Sequence, residues 1–387
     1  MKSRGFVMLR RRVCNRNGIG LIEVLIVIGI VGLLLSLLLP AVQMARESSR
    51  RTQCLSNLRQ LGVGLQSFHS ANGHLPPAAT WMPPGEPLGK GMAPPGTIDR
   101  VSAGVASEMA PDRMFANWTI LLLPYLEQKE LYDRFDRRAP VAAAGNSAVA
   151  SSDIPLLKCP SDSSNGSENH FLRGGLAMPD EGYARGNYAM NAGPNERCLA
   201  RLGPKGKLNT CPDGFQVNGT DLMTDTSQVW GSGVGGLNKF FRFSEFASGV
   251  SRTIAIEEVR AGGGSLDRRG VWALGFVGCS LTAAHGMKGN GGPNAGSDRI
   301  QGCTDVITQI GDPYLNGMPC TARQNPINEV SDQATARSEH SSGVNVLMAD
   351  GSAHFVHDYI APEVWEKLHK RNNLVPLEFD VGASSSE

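Results

Sequence analysis

The sequence is poor in aromatic residues, which make up 6% of 387 positions, so any core has to be mostly aliphatic. Neither charge is in surplus, with 37 Lys and Arg against 36 Asp and Glu. There is no basic stripe interleaved with aromatics, which argues against nucleic acid as a partner. No Cys-x2-Cys pair occurs, so the usual signature of a structural zinc site is missing. Gly-x-Ser-x-Gly, His-Glu-x-x-His and the phosphate-binding loop are missing as well. On these absences the chain is read as not an enzyme, with no cofactor and no metal. One further absence is local: no acid precedes Glu23, and all six charges in the first 18 residues are basic (Lys2, Arg4, Arg10, Arg11, Arg12, Arg16).

After that leader comes a long apolar run. Val24 through Ala45 is 22 residues without a charge, roughly 33 Å as a helix against a hydrocarbon core of about 30 Å. The basic leader would stay in the cytoplasm and send the rest outward. Glu23 stands at the edge of the run, where a carboxylate is costly unless it finds a partner. Cleavage after Gly18 would create an α-amine on Ile19, one helical turn from Glu23, and amine and carboxylate of neighbouring copies would then neutralise one another. Pro40 sits inside the run and removes the amide that would bond the Ser36 carbonyl.

This N-terminus (basic leader, Gly18, apolar Ile19, Leu21-Ile22-Glu23, hydrophobic helix) resembles a type IV prepilin. The resemblance implies cleavage between Gly18 and Ile19 by a prepilin peptidase, N-methylation of Ile19, and assembly through packed hydrophobic helices. Ile19 and Gly20 depart from the usual Phe-Thr. Pilins that resemble this chain carry a proline at the distance of Pro40, where the helix can loosen during assembly.

Beyond the run, Leu55, Leu58, Leu61, Leu65 and Phe68 recur at spacings of three and four, one apolar face of an amphipathic helix. The helix is expected from Ile19 to about Ser70, near 78 Å long at about 1.5 Å per residue. Gly73 and Pro76-Pro77 stop it. Residues 73–112 read as a Pro/Gly-rich loop. Gly 46 and Pro 23 in the whole chain point to a loop-rich, β-leaning head. Within it, Trp118 to Leu123 reads as a strand or buried segment and Leu126 to Phe135 as a short helix. The 154–162 stretch reads as a strand edge with a turn at Pro160 to Asp162, GNYAMNAG as a short strand, residues 195–238 as an irregular insertion, and Thr253 to Glu257 as an alternating strand. Asp350-Gly351 between Val344–Ala349 and Ser352–Val356 is a two-residue hairpin signal of type I′. Residues 361–373 then form a closing helix with Val364, Trp365 and Leu368 on one side.

His340, nine intervening residues and Asp350-Gly351 resemble the His-x9-Asp-Gly ending of a large family of prepilin-like proteins abundant in planctomycete-type bacteria. LLLPYLEQ at 121–128, CPSD at 159–162, NYAMNAG at 187–193 and ARESSRRTQCLSNLRQLG resemble the same family. Its exported domain has no settled function. Where that family has an Asp-Gly-Thr-Ser-Asn-Thr block, this chain has Ala247 to Thr253.

The fold class is therefore α+β: a long N-terminal helix, its first half membrane-spanning, on a loop-rich, mainly antiparallel β head. The divisions are a cleaved leader (1–18), a spine helix (19–72), a loop (73–112), an exported head (113–378) and a tail (379–387). Removal of the leader and Cys14 leaves seven cysteines: Cys54, Cys159, Cys198, Cys211, Cys279, Cys303 and Cys320. Cys198 with Cys211 and Cys303 with Cys320 are the shortest loops to close. His340 and Asp350, with His354 and His357 nearby, form a candidate proton-transfer pair, set against a plain reading in which His340 bonds a loop and Asp350 fits a turn. His285 is read as a loop residue, and Asp162 and Asp180 as candidate calcium ligands. The functional readings are a pilin-like or pseudopilin subunit of a type IV pilus or type II secretion filament, a membrane-anchored module binding a ligand such as a polysaccharide, and an anchored enzyme using His340 and Asp350. The first is preferred. Its partners are a prepilin peptidase, other pilin-like subunits and inner-membrane lipid, with the N-terminus cytoplasmic and the head extracytoplasmic. Mass spectrometry of the mature N-terminus from cells is expected to find N-methylated Ile19. A chain still carrying its arginine-rich start would refute processing.

Overall fold

A computed structural model describes residues 21–81, 114–172, 182–194, 229–284, 291–300, 302–312, 316–321 and 333–373, with short strands at 201–202, 208–209 and 216–217. The helices are α1 (Leu21–Asn72), α2 (Trp118–Leu122), α3 (Lys129–Asp133), α4 (Ser147–Ala150), α5 (Cys303–Ile310) and α6 (Pro362–Leu368). The strands are β1 (Ala79–Trp81), β2 (Met114–Asn117), β3 (Tyr188–Asn191), β4 (Arg201–Leu202), β5 (Leu208–Asn209), β6 (Gln216–Val217) and β7 (Val229–Trp230). They continue as β8 (Gly236–Leu237), β9 (Ile254–Glu258), β10 (Leu281–Thr282), β11 (Asp298–Arg299), β12 (Cys320–Thr321), β13 (Gly343–Met348) and β14 (Ala353–His357). The leader with Gly18 and Ile19, Cys198, Cys211, Asp180, His285 and the tail lie outside the described residues, as does most of the 73–112 loop.

The chain divides into two compact units, 1–49 and 50–387. In the first, α1 runs through Pro40 without a break in its assignment. All of its large apolar side chains from Leu21 to Met44 are exposed. The helix is apolar around its whole circumference there, the pattern of a segment covered by lipid or by other helices.

In the second unit, two five-stranded sheets run in the orders β10-β3-β9-β13-β14 and β2-β1-β8-β7-β6. Apart from β10 on β3 and β1 on β8, the pairs within them are antiparallel. The first sheet is covered on both faces. Leu58, Leu61, Leu65 and Phe68 of α1 join Tyr188, Met190, Ile256 and Leu347 in the main core. Val344, Val346 and Met348 point the other way and pack on Trp365 of α6. This is the period-two alternation of a strand. The same alternation sends adjacent acids to opposite faces: the Glu257 carboxylate lies 3.0 Å from His369 Nε2, whereas Glu258 turns toward α1 and lies 3.4 Å from His340 Nε2.

Several local expectations need correction. The hairpin pairs Leu347 with Ala353 and Val346 with His354, and Met348 N–H bonds the Ser352 carbonyl at 2.8 Å. The loop is thus three residues, Ala349 to Gly351, rather than Asp350-Gly351 alone. Gly351 takes φ 90° and Asp350 does not take a positive φ, so the type I′ reading fails. The Asp350 carboxylate instead accepts from Ser352 N–H (2.8 Å) and Oγ (2.7 Å), which locks the longer turn. Trp118 to Leu122 is a helix, because Asn117 Oδ1 caps it by accepting from Ile120 N–H at 3.1 Å. Pro155–Leu157 is a 3-10 turn rather than a strand edge, as proline at a helical first position favours. The 195–238 stretch is not wholly irregular, since β4 to β8 fall in it, and β8 joins the second sheet beside β1. The Gly-rich 260–335 stretch also holds α5, which is bounded by Gly302 and Gly311.

Gly62 lets α1 approach the hairpin. A Cβ there would lie 2.9 Å from Leu347 Cδ1 and 3.0 Å from the Gly351 carbonyl oxygen. One turn on, Gln66 Nε2 donates to the Ala349 carbonyl at 2.8 Å. Gly62→Val is therefore expected to destabilise the head by about 1–3 kcal/mol through overpacking, read as a lower urea midpoint of the full chain in detergent.

Candidate functional site

Cys54 lies on the buried face of α1, three to four residues before Asn57 and Leu58. It is bonded to Cys159, 105 residues away, with Cα atoms 5.2 Å apart. Cys159 follows the 3-10 turn and opens the Cys-Pro-Ser-Asp turn, which Asp162 N–H closes on the Cys159 carbonyl at 3.0 Å. Two further bonds fasten α1 at this point. Asn57 Nδ2 donates to the Lys158 carbonyl at 2.9 Å, and Tyr188 O–H donates to the Cys54 carbonyl at 3.3 Å.

Asn187, just before β3, sits between the cystine and an acid. Its Oδ1 accepts from Cys159 N–H (2.8 Å), and its Nδ2 donates to Asp162 Oδ2 (2.5 Å) and to the Val259 carbonyl (3.0 Å). Asp162 also accepts from Ala261 N–H (2.7 Å) and Ser164 N–H (3.1 Å). Burial nevertheless pushes its carboxyl above the usual range, against those donors and the charge of Arg260. The guanidinium of Arg260 pairs with Glu339 and donates to the Asn316 carbonyl at 2.6 Å.

Beside the cystine, His340 Nε2 lies 3.4 Å from Cys159 Sγ and 3.4 Å from Glu258 Oε1. Asn345 fixes that carboxylate, with N–H to Oε2 at 2.7 Å and Nδ2 to Oε1 at 2.8 Å. Cys54, Cys159, Glu258 and His340 are exposed by 0%, 5%, 1% and 4%, and their ligand-type atoms all lie within 4.8 Å of one another. Burial, and next the Glu258 charge, hold the Tyr188 phenol protonated well above its ordinary range.

The structure does not bring His340 and Asp350 together. They flank β13, and Asp350 spends its carboxylate on Ser352 while His340 faces Glu258 and the cystine. His354 Nε2 lies 3.0 Å from Ser352 Oγ, and the His357 ring stacks on Tyr359 at 4.8 Å, both histidines being exposed on strand β14. Gly351 meets α1 at Gly62. Asp162 is an acceptor for protein N–H groups rather than an open calcium ligand. Glu23 and Pro40 lie in α1; the Glu23 side chain is outside the described residues. Cys303–Cys320 forms as expected, whereas Cys54–Cys159 was not foreseen. Among the described residues Cys279 is the cysteine outside a disulfide, buried and with its thiol pushed up to about 12 chiefly by burial. Asn187 and Glu258 were missed as site residues. Asn187 and Cys159 stand in blocks already marked by resemblance, but nothing in the spacing links those blocks to each other.

Residues 43–363 match the family described as Protein of unknown function (DUF1559), and the chain belongs to that family. No curated protein and no solved structure matches it. The match begins near the end of the apolar run, so it covers the buried node and most of the head but not Gly18 to Glu23. A member of this family with one N-terminal helix long and apolar enough to cross a membrane, and with two disulfides among the described residues, has the make-up of a membrane-anchored extracytoplasmic protein.

Replacing Cys54 and Cys159 together by alanine is expected to lower the stability of the oxidised protein by about 2–5 kcal/mol, because the bridge closes a loop of 105 residues. Thermal unfolding of the double variant beside wild type measures this. An unchanged transition would mean that packing alone holds α1 to the head.

Proposed function

We propose that the chain is a type IV pilin-like or pseudopilin subunit, processed by a prepilin peptidase between Gly18 and Ile19 and anchored or assembled through its N-terminal helix, with the head exported. The observation that carries this reading is the single acid Glu23 ahead of 22 uncharged residues, in the part of α1, from Leu21 to Met44, whose large apolar side chains are all exposed. Such a helix needs a surrounding of lipid or of identical helices. An acid is tolerated at its start if a newly exposed amine on a neighbouring copy meets it. The partners under this reading are the peptidase, further pilin-like subunits and inner-membrane lipid, and the N-terminus faces the cytoplasm before processing. The head then has no catalytic task. The cystine and the packing of Leu58, Leu61, Leu65 and Phe68 support it as a body fixed to the second half of α1.

Glu23→Ala is expected to leave membrane insertion intact, because it only raises the hydrophobicity of the segment, and to abolish assembly with other subunits. Membrane fractionation together with crosslinking of helix to helix in cells separates the two effects. Normal assembly of the variant would sink the filament reading and leave a tethered extracytoplasmic protein.

A further inference from the structure

The buried node beside α1 has a composition that a plain cystine does not need. Two sulfurs, an imidazole nitrogen and a carboxylate oxygen converge from four distant segments, α1, the Cys159 turn, the end of β9 and the residue run before β13. All four side chains are more than nine-tenths buried. A cystine sulfur is a weak acceptor, so the imidazole gains little from facing it. We propose that the reduced form of this node is a tetrahedral zinc site, with Cys54, Cys159, His340 and Glu258 as ligands.

The distances fit. Zinc holds sulfur at about 2.3 Å and nitrogen or oxygen at about 2.0–2.2 Å, which puts neighbouring ligand atoms roughly 3.3–3.8 Å apart in a tetrahedron. His340 Nε2 stands 3.4 Å from Glu258 Oε1 and 3.4 Å from Cys159 Sγ. The two sulfurs have to separate, which breaking their bond allows, and the other ligand atoms already lie within 4.8 Å of one another. The supporting groups are in place as well. Asn345 orients Glu258 through two N–H bonds and Asn187 fixes the Cys159 backbone, the kind of outer support that sets metal affinity.

The chemistry balances. A dithiol reductant gives two electrons and two protons to the Cys54–Cys159 bond, yielding two thiols while the reductant becomes a disulfide. Zinc then displaces both thiol protons to solvent and binds two thiolates, a neutral imidazole and a carboxylate. The junction between α1 and the head is closed by a sulfur–sulfur bond under oxidising conditions and by the metal where the sulfurs are reduced.

The test uses the full chain in detergent micelles, stripped of metal with a chelator, reduced with dithiothreitol, desalted without oxygen and titrated with cobalt(II), then zinc. The expected result is one cobalt per chain, with a thiolate-to-cobalt charge-transfer band and strong tetrahedral visible bands, both erased by zinc. Zinc also raises the unfolding temperature of the reduced protein and leaves that of the oxidised protein unchanged. Glu258→Gln and His340→Ala each weaken cobalt binding by at least about tenfold, His340→Cys retains it, and Cys54→Ser removes the charge-transfer band expected of two thiolates. Cys303→Ser with Cys320→Ser leaves the signal intact. The proposal is overturned if the reduced wild type gives no thiolate-to-cobalt band. It is equally overturned if Glu258→Gln and His340→Ala, with native circular dichroism, bind as wild type does, or if the band follows Cys303 and Cys320 instead.

Discussion

The head depends on how closely the second half of α1 lies against the central sheet. Leu58, Leu61, Leu65 and Phe68 supply the apolar contact, and full burial of such side chains is worth about 1.5–3 kcal/mol each. That contact requires the missing side chain of Gly62, since any Cβ would strike Leu347 and the Gly351 carbonyl. The cystine, Asn57, Tyr188 and Gln66 then hold the helix along its length. The Asp-Gly motif thus has a packing reason: Gly351 turns the hairpin at a positive φ and offers a bare backbone surface to the helix.

One helix meets two different solvents. Residues 21–44 carry apolar side chains on every side and leave them exposed, whereas from Cys54 onward only one face is apolar and that face is buried. The change of pattern coincides with the basic cluster Arg46, Arg50 and Arg51. Arg51 itself lies over the Phe355 ring at 3.5 Å, a cation–π contact that helps hold the helix to the hairpin. Pro40 falls in the part where tertiary contacts do not hold the helix, and there a missing backbone bond is less constrained by neighbours.

Polar groups are buried in number, and they pin the loop-rich region where few strands do. Asp267 and Asp298 both bind Arg269, at 2.7 and 3.0 Å, and Asp298 also accepts from Arg337 at 3.1 Å. Burial alone would raise the Asp267 carboxyl, but the charge and hydrogen bonds of Arg269 outweigh it and hold the group below its ordinary range. Buried pairs of this kind add little net stability yet cost several kcal/mol when one partner is removed. They specify one arrangement of chain in a stretch whose glycines would otherwise permit many. Adjacent Glu257 and Glu258 do the same for the two faces of β9, each meeting a different histidine.

The α+β class, the helix from the membrane-length run to Asn72, strand β3, most of β9, the β13–β14 pair and α6 were legible in the sequence. Each rests on a local rule: hydrophobic period, a turn residue, or a run too long and apolar for water. The Cys303–Cys320 bridge was legible for a related reason, since a short loop is the cheapest to close. The hairpin register was not. It turned on one extra loop residue and on where the Asp350 carboxylate found its donors. Nor was the buried node legible, because Cys54, Cys159, Glu258 and His340 are scattered over nearly 290 positions and no spacing rule reaches that far. Sequence alone determined which segments seek lipid, which seek a core and where the chain turns, because those preferences are written within a few residues. Only the tertiary structure decided which cysteine meets which and which histidine meets which acid, because that follows from strands and helix being stacked face to face, at separations along the chain that local chemistry does not sense.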